Sequence, residues 1–202
     1  MLVRRIFVAG AVVGLLVAAA VPVAAHDRKS DGDDFVDTVL VTGPSPDADL
    51  VNAWGLTRSP TSPWWIANNG TDSTTLYRGD GSKVTVAPGV PARVGIPDGA
   101  PTGAAFNGNP ADFHGDNFLF DGEGGVIFGW RGAFGLTGTA EVGNADFAGD
   151  AVFKGLAIGT ADVGGGAQQY LYATDFHNRR IDVFDRTFAA QTWTGAFHDP
   201  RL

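Results

Sequence analysis

Gly155-Leu156-Ala157-Ile158, then Tyr170-Leu171-Tyr172-Ala173-Thr174-Asp175, then Ile181-Asp182-Val183-Phe184-Asp185, is the stretch on which the fold turns. These are three short apolar runs, rich in aromatic and β-branched residues. Gly164-Gly165-Gly166 divides the first two, and Phe176-His177-Asn178-Arg179 the last two. Runs of this length between Gly, Asn and Asp read as strands joined by turns, and no window carries a helical stripe. The same three phrases occur twice upstream. Trp54-Gly55-Leu56-Thr57, Trp64-Trp65-Ile66-Ala67-Asn68-Asn69-Gly70 and Thr75-Leu76-Tyr77 form one set. Thr102-Gly103-Ala104-Ala105-Phe106, Asn117-Phe118-Leu119-Phe120-Asp121-Gly122 and Val126-Ile127-Phe128-Gly129-Trp130 form the next.

The leading glycines are 48 and 52 residues apart, and the aromatics Tyr77, Trp130 and Phe184 are 53 and 54 apart. A period near 50 with several strands per period is the pattern of β-propeller blades. The expectation is an all-β chain: a partial propeller of about three four-stranded blades, near 50–95, 98–145 and 151–197. Lys83-Val84-Thr85-Val86, Thr139-Ala140-Glu141-Val142 and Ala190-Gln191-Thr192-Trp193 are the fourth strands. Phe35–Val41 is an extra strand ahead of the first blade, placed to complete the last blade of a ring. Rings contain about four to eight blades, so three leave open edges. The chain is therefore expected to be a C-terminally truncated piece of a longer propeller, with self-association through open blade edges as the alternative.

The N-terminus is a separate object. Arg4 and Arg5 precede the apolar run Ile6–Val21, and Pro22-Val23-Ala24-Ala25 leads into the polar stretch from His26. That is the layout of a secretory signal peptide over 1–25; a membrane anchor is the rival reading, although the run falls short of about 20 residues. Residues 26–34 read as a disordered leader and 35–202 as the domain. Localisation is then secreted, periplasmic or cell-surface, with no membrane span after cleavage. Without Arg4 and Arg5, 12 basic residues face 22 acidic ones. Such a surface repels phosphate backbones, which argues against nucleic acid. There is no cysteine, so neither disulfides nor thiol chemistry enter.

The third unit resembles an NHL-type propeller repeat. With Leu50-Val51-Asn52-Ala53-Trp54-Gly55-Leu56 and Trp64–Thr71 it is similar to an uncharacterised family of exported bacterial β-propeller proteins, over roughly residues 35–202. Members carry Pro where this chain has Ala53 and continue beyond its last residue. The resemblance implies a six-bladed parent of the NHL or lactonase-like kind and implies no activity.

Candidate ligand contacts come from the loops that lead into the first strands and from the turns after the second strands. These emerge on one face and supply Asn52, Asn68, Asp121, Lys154, Asp175 and His177. Asp175, His177, Asn178 and Arg180 bring a carboxylate, an imidazole and an amide together. They equally suit a turn whose Asx side chains satisfy backbone N–H groups, with Arg180 paired to Asp175. Oxygen donors around an axial channel suit Ca²⁺; no other cofactor is expected. The reading is a binding or scaffold module for a protein or small-molecule ligand. A lactonase-like or lyase-like enzyme with an axial divalent cation is the alternative, weakened by the lack of a Glu on an early strand. His114 and His198 read as isolated, so no zinc spacing exists, and no Ser sits in a nucleophile-elbow motif.

Overall fold

The computed structural model describes residues 38–43, 47–143 and 150–193. The described chain is all-β, with three single-turn 3₁₀ segments as its helical content. The first sheet contains β1 (Ala53–Thr57), β2 (Trp64–Asn68) and β3 (Ser73–Tyr77). A two-stranded hairpin of β4 (Thr85–Ala87) and β5 (Val90–Pro91) follows, and β6 (Arg93–Gly95) returns to pair with β3. The second sheet runs β7 (Pro101–Phe106), β8 (Phe118–Gly122), β9 (Ile127–Trp130) and β10 (Thr139–Val142) in order. The third runs β11 (Phe153–Ala161), β12 (Gln168–Asp175), β13 (Arg180–Asp185) and β14 (Ala190–Gln191). All pairings in these three four-stranded sheets are antiparallel.

The three sheets repeat one another in detail. The first strand slips register against the second between Ala53 and Leu56, between Pro101 and Ala104, and between Phe153 and Leu156. Each slip is a bulge over two residues ending in Gly55, Gly103 or Gly155. One backbone bond closes each hairpin behind it. Asn69 N–H donates to Asn52 O at 3.1 Å, Glu123 N–H to Ala100 O at 3.2 Å, and Phe176 N–H to Val152 O at 2.9 Å. Bulges bend a strand and raise its twist, so all three first strands bend at the same place.

The glycines let first strands pack side by side: β1 lies against β7, and β7 against β11. A Cβ on Gly55 would sit 2.5 Å from Thr102 O. One on Gly103 would meet the Leu156 backbone N and lie 2.7 Å from Leu156 Cβ. Only hydrogen fits in such a backbone-to-backbone contact.

The core has two halves divided by the second sheet. Trp65, Ala67, Leu76 and Val94 of the first sheet pack on Phe118, Phe120 and Phe128, with Trp65 stacked on Phe118 at 4.3 Å between ring centroids. The alternate residues Leu119 and Ile127 pack the other way, on Phe153, Leu171, Ala173 and Phe184 of the third sheet. Side chains of a strand alternate between faces, so a strand buried on both sides must read Phe-Leu-Phe rather than apolar-polar, and β8 is buried throughout.

Two sequence expectations are corrected here. The fourth strand of the first sheet is Arg93–Gly95, not Lys83–Val86; Thr85 and Val86 belong to the separate β4–β5 hairpin. The described part of the expected leading strand, residues 38–41, pairs in no sheet, and a Cβ on Gly81 would lie 2.8 Å from Leu40 O. Residues 35–37 of that strand, the segments 1–25 and 26–34, residues 194–197 and His198 lie outside the described residues.

Candidate functional site

The loops that lead into the first strands meet the turns after the second strands in one polar cluster. Asn52 takes φ of 51°, a left-handed conformation that Asn tolerates better than most residues. Its Nδ2 donates to Asn69 Oδ1 at 2.9 Å, and its Oδ1 accepts from Trp54 Nε1 at 3.1 Å. Asn69 Nδ2 donates in turn to Ala100 O at 2.9 Å, tying the first sheet to the start of the second. Lys154, from the bulge of β11, pairs with Glu123 and stands 4.9 Å over the Trp54 ring. The Lys154 ammonium holds the Glu123 carboxyl below its ordinary range. Trp54 is 46 % exposed. The result is a solvent-facing indole, fixed at its N–H and by a cation over its ring, beside two amides and a charge-balanced Lys–Glu pair.

Asn52 and Lys154 are thus brought together with three residues outside the candidate ligand set: Trp54, Asn69 and Glu123. The signal for them was present, because Trp54 occupies the bulge position of Thr102 and Lys154, and Asn69 and Glu123 occupy matched turn positions.

Three other sequence candidates are built into the sheets. Asn68 is fully buried, and its Nδ2 donates to Thr75 Oγ1 at 3.0 Å. Asp175 is 1 % exposed; its Oδ1 accepts from Val152 N–H at 3.1 Å and Asn178 N–H at 3.2 Å, and its Oδ2 from Asn178 Nδ2 at 2.6 Å. Burial pushes that carboxyl up, but Asn178, Val152 and the charge of Arg180 outweigh it and leave it below its ordinary value. Arg180 lies nearer Asp182, at 2.8 Å, than Asp175, at 3.6 Å.

Asp121 is out of phase with these two. The residue opposite Pro101 is Gly122, as Asn68 is opposite Ala53 and Asp175 opposite Phe153. One residue earlier, Asp121 turns to the other face of its sheet. There it accepts from Gly103 N–H and Gly155 N–H and lies 2.8 Å from Thr102 Oγ1, which is also 2.9 Å from Phe153 O. Asp121 therefore clamps the second sheet to the third, and burial raises its pKa to about 6. His177 is exposed, with Nε2 3.6 Å from Asp150 Oδ2.

Two further clusters had no sequence signal. His114 Nδ1 is 2.7 Å from Glu141 Oε2, and Arg131 Nη1 donates to His114 O at 2.6 Å and to Asp116 Oδ1 at 2.9 Å. Asp116 is fully buried, and a Cβ on Gly129 would collide with its Oδ2. That Oδ2 has no N–H or O–H donor among the described residues, and the Glu141 carboxyl lies near Asp116. Burial first, and the Glu141 charge second, raise Asp116 to about 6. The second cluster borders a cleft of about 570 Å³ between Val39–Thr42 and the first sheet. Tyr77 donates to Asp47, and Lys83 bridges Asp47 at 2.7 Å and Asp49 at 3.0 Å. Burial and the Asp47 hydrogen bond push the Tyr77 hydroxyl well above its ordinary value.

Among the described residues no three His, Cys, Asp or Glu side chains converge to hold a metal ion. Comparison with protein-family models and with curated proteins finds no match.

Proposed function

We propose that the chain is an exported binding or scaffold module of the β-propeller type, with its three four-stranded sheets as successive blades. In this reading the ligand meets the face where the first strands begin. Support for the radial arrangement comes from the glycine-lined first strands, which pack in succession and share one bulge. A secreted, periplasmic or cell-surface location follows from the sequence of residues 1–25 alone.

The observation that carries the binding reading is the Trp54 platform: an exposed indole held by Asn52 and Lys154 beside Asn69 and Glu123. A flat apolar surface bordered by fixed amides and a carboxylate suits a ligand with a CH face and a rim of hydroxyls, the chemistry of a sugar ring. The hydrolytic alternative needs free carboxylates on the same face, whereas Asp121 and Asp175 are engaged within the sheets. The test is a titration of tryptophan fluorescence with neutral and acidic oligosaccharides, on the wild type and on Trp54→Ala. Saturable quenching that disappears in Trp54→Ala, with near-ultraviolet dichroism retained, is the expected result. A Trp54→Ala chain that keeps the wild-type response removes the site.

A further inference from the structure

The two sheet-to-sheet contacts in this chain are one contact made twice. Ala104 follows Gly103 and covers Gly55, with its backbone N 2.7 Å from a Cβ placed there; Leu156 follows Gly155 and covers Gly103 in the same way. The residue after each repeat glycine thus faces the preceding sheet, and the glycine faces the following one. Both ends of this pattern are open among the described residues. Leu56, the counterpart of Leu156, is 56 % exposed. A Cβ on Gly155 would have only Thr174 Oγ1 within reach, at 3.3 Å. Ala157 is exposed where its counterpart Ala105 is buried. On the same side of the third sheet Tyr170 and Tyr172 stand edge-on to Trp193 at 4.9 and 6.0 Å, with Gln168 and Thr174 as polar members of that face.

We infer that these two faces mate between copies: β1 of a second copy packs on β11 of the first, with Leu56 over Gly155 as Leu156 lies over Gly103. The inference rests on the radial-repeat reading above. The occupant is a second copy because the vacant position calls for a bulged first strand with an apolar residue after its glycine, which β1 of this same chain presents. The contact continues an interface already made twice within one chain. It is heterologous, so its stability as a closed body depends on the rotation closing. Two copies supply six sheets, within the four to eight of known radial rings, whereas three supply nine.

The test is mass by light scattering on the purified full chain, with near-ultraviolet dichroism as a check on packing. The wild type is expected at twice the chain mass. Leu56→Arg, and separately Ala157→Arg on the opposite face, each weaken association by about 100-fold or more, the effect of placing a charge in a packed contact. Mixing the two variants restores a two-chain species, because the Leu56→Arg chain keeps an intact β11 face and the Ala157→Arg chain an intact β1 face. A self-complementary contact gains nothing from mixing. A wild-type monomer with intact near-ultraviolet dichroism overturns the pairing and leaves the repeat reading standing; it is also the result if another segment of the chain covers the faces. A dimer indifferent to both substitutions overturns the pairing as well. A chain without near-ultraviolet dichroism overturns the repeat reading and the pairing with it.

Discussion

The second sheet and the third share a plan but live in different surroundings. In the second, β8 is buried from end to end, and Ala105 on β7 is closed off by the third sheet. In the third, β11 has the same bulge and the same glycine, yet Ala157 faces solvent and Gly155 touches little. The repeat unit alone therefore does not determine burial; the neighbouring sheet does. A residue's energetic weight in this molecule should follow from whether a sheet lies on its side, not from its place in the motif.

The largest expected effect tests that rule in the core. Phe120→Ala removes a fully buried ring between two sheets and should cost about 4 kcal/mol, against less than about 1 kcal/mol for Trp54→Ala, read from urea unfolding midpoints. Equal losses would contradict the two-sided burial of the middle sheet. The glycines sharpen the comparison at one motif position. Gly103→Ala drives a methyl into the Leu156 backbone and should cost about 3 kcal/mol, while Gly155→Ala should cost less than about 1 kcal/mol in the single chain and approach the Gly103→Ala cost only where Leu56 of a second copy covers it.

Acid–base behaviour gives the next effect. Asp116 rises in the folded state from 3.8 to about 6, so the folded chain keeps a proton that the unfolded chain releases. Its contribution to stability is complete below about pH 4, declines as pH rises, and is gone above about pH 6, by on the order of 3 kcal/mol. Asp121 is raised to about 6 and acts in the same direction. Asp116→Asn should flatten the slope of unfolding free energy against pH between 4 and 6 and leave a remainder due to Asp121; an unchanged slope would refute the raised Asp116 pKa. The smallest effect belongs to the leading face. Lys154→Met should alter stability by less than about 0.5 kcal/mol, because the pair with Glu123 is solvent-accessible. Its signature is instead an upward move of the Glu123 titration, seen in the side-chain carboxyl NMR signal.

Much of the strand pattern was legible beforehand. Thr139–Val142 reads as a strand and is β10, and Trp64–Asn68 reads as a strand and is β2. The fourth strand of the first sheet was not. Val84-Thr85-Val86 alternates as a strand should, whereas Arg93-Val94-Gly95 has a single apolar residue and no period to detect. Val94 is buried by Phe118, Phe120 and their neighbours, and Gly95 N–H donates to Leu136 O, at 2.9 Å, in the loop between β9 and β10. That strand is stabilised by groups some 25 to 40 residues away. His114 reads as isolated for the same reason, since its partners Glu141 and Arg131 come from β10 and the end of β9.

By itself the sequence determined the all-β character, the threefold recurrence and the positions of the repeat glycines. Alternation, turn chemistry and the freedom of glycine are local physics, readable within a few residues. Tertiary structure decided which glycine is covered and which Leu is bare. It turned Asp121 into a clamp, left Trp54 in solvent, and set two carboxyls side by side at Asp116 and Glu141. The covered glycine, the bare Leu and the clamp depend on what a second sheet, about half a hundred residues distant along the chain, places against the first, whereas the Asp116–Glu141 pair depends on β10 of the same sheet.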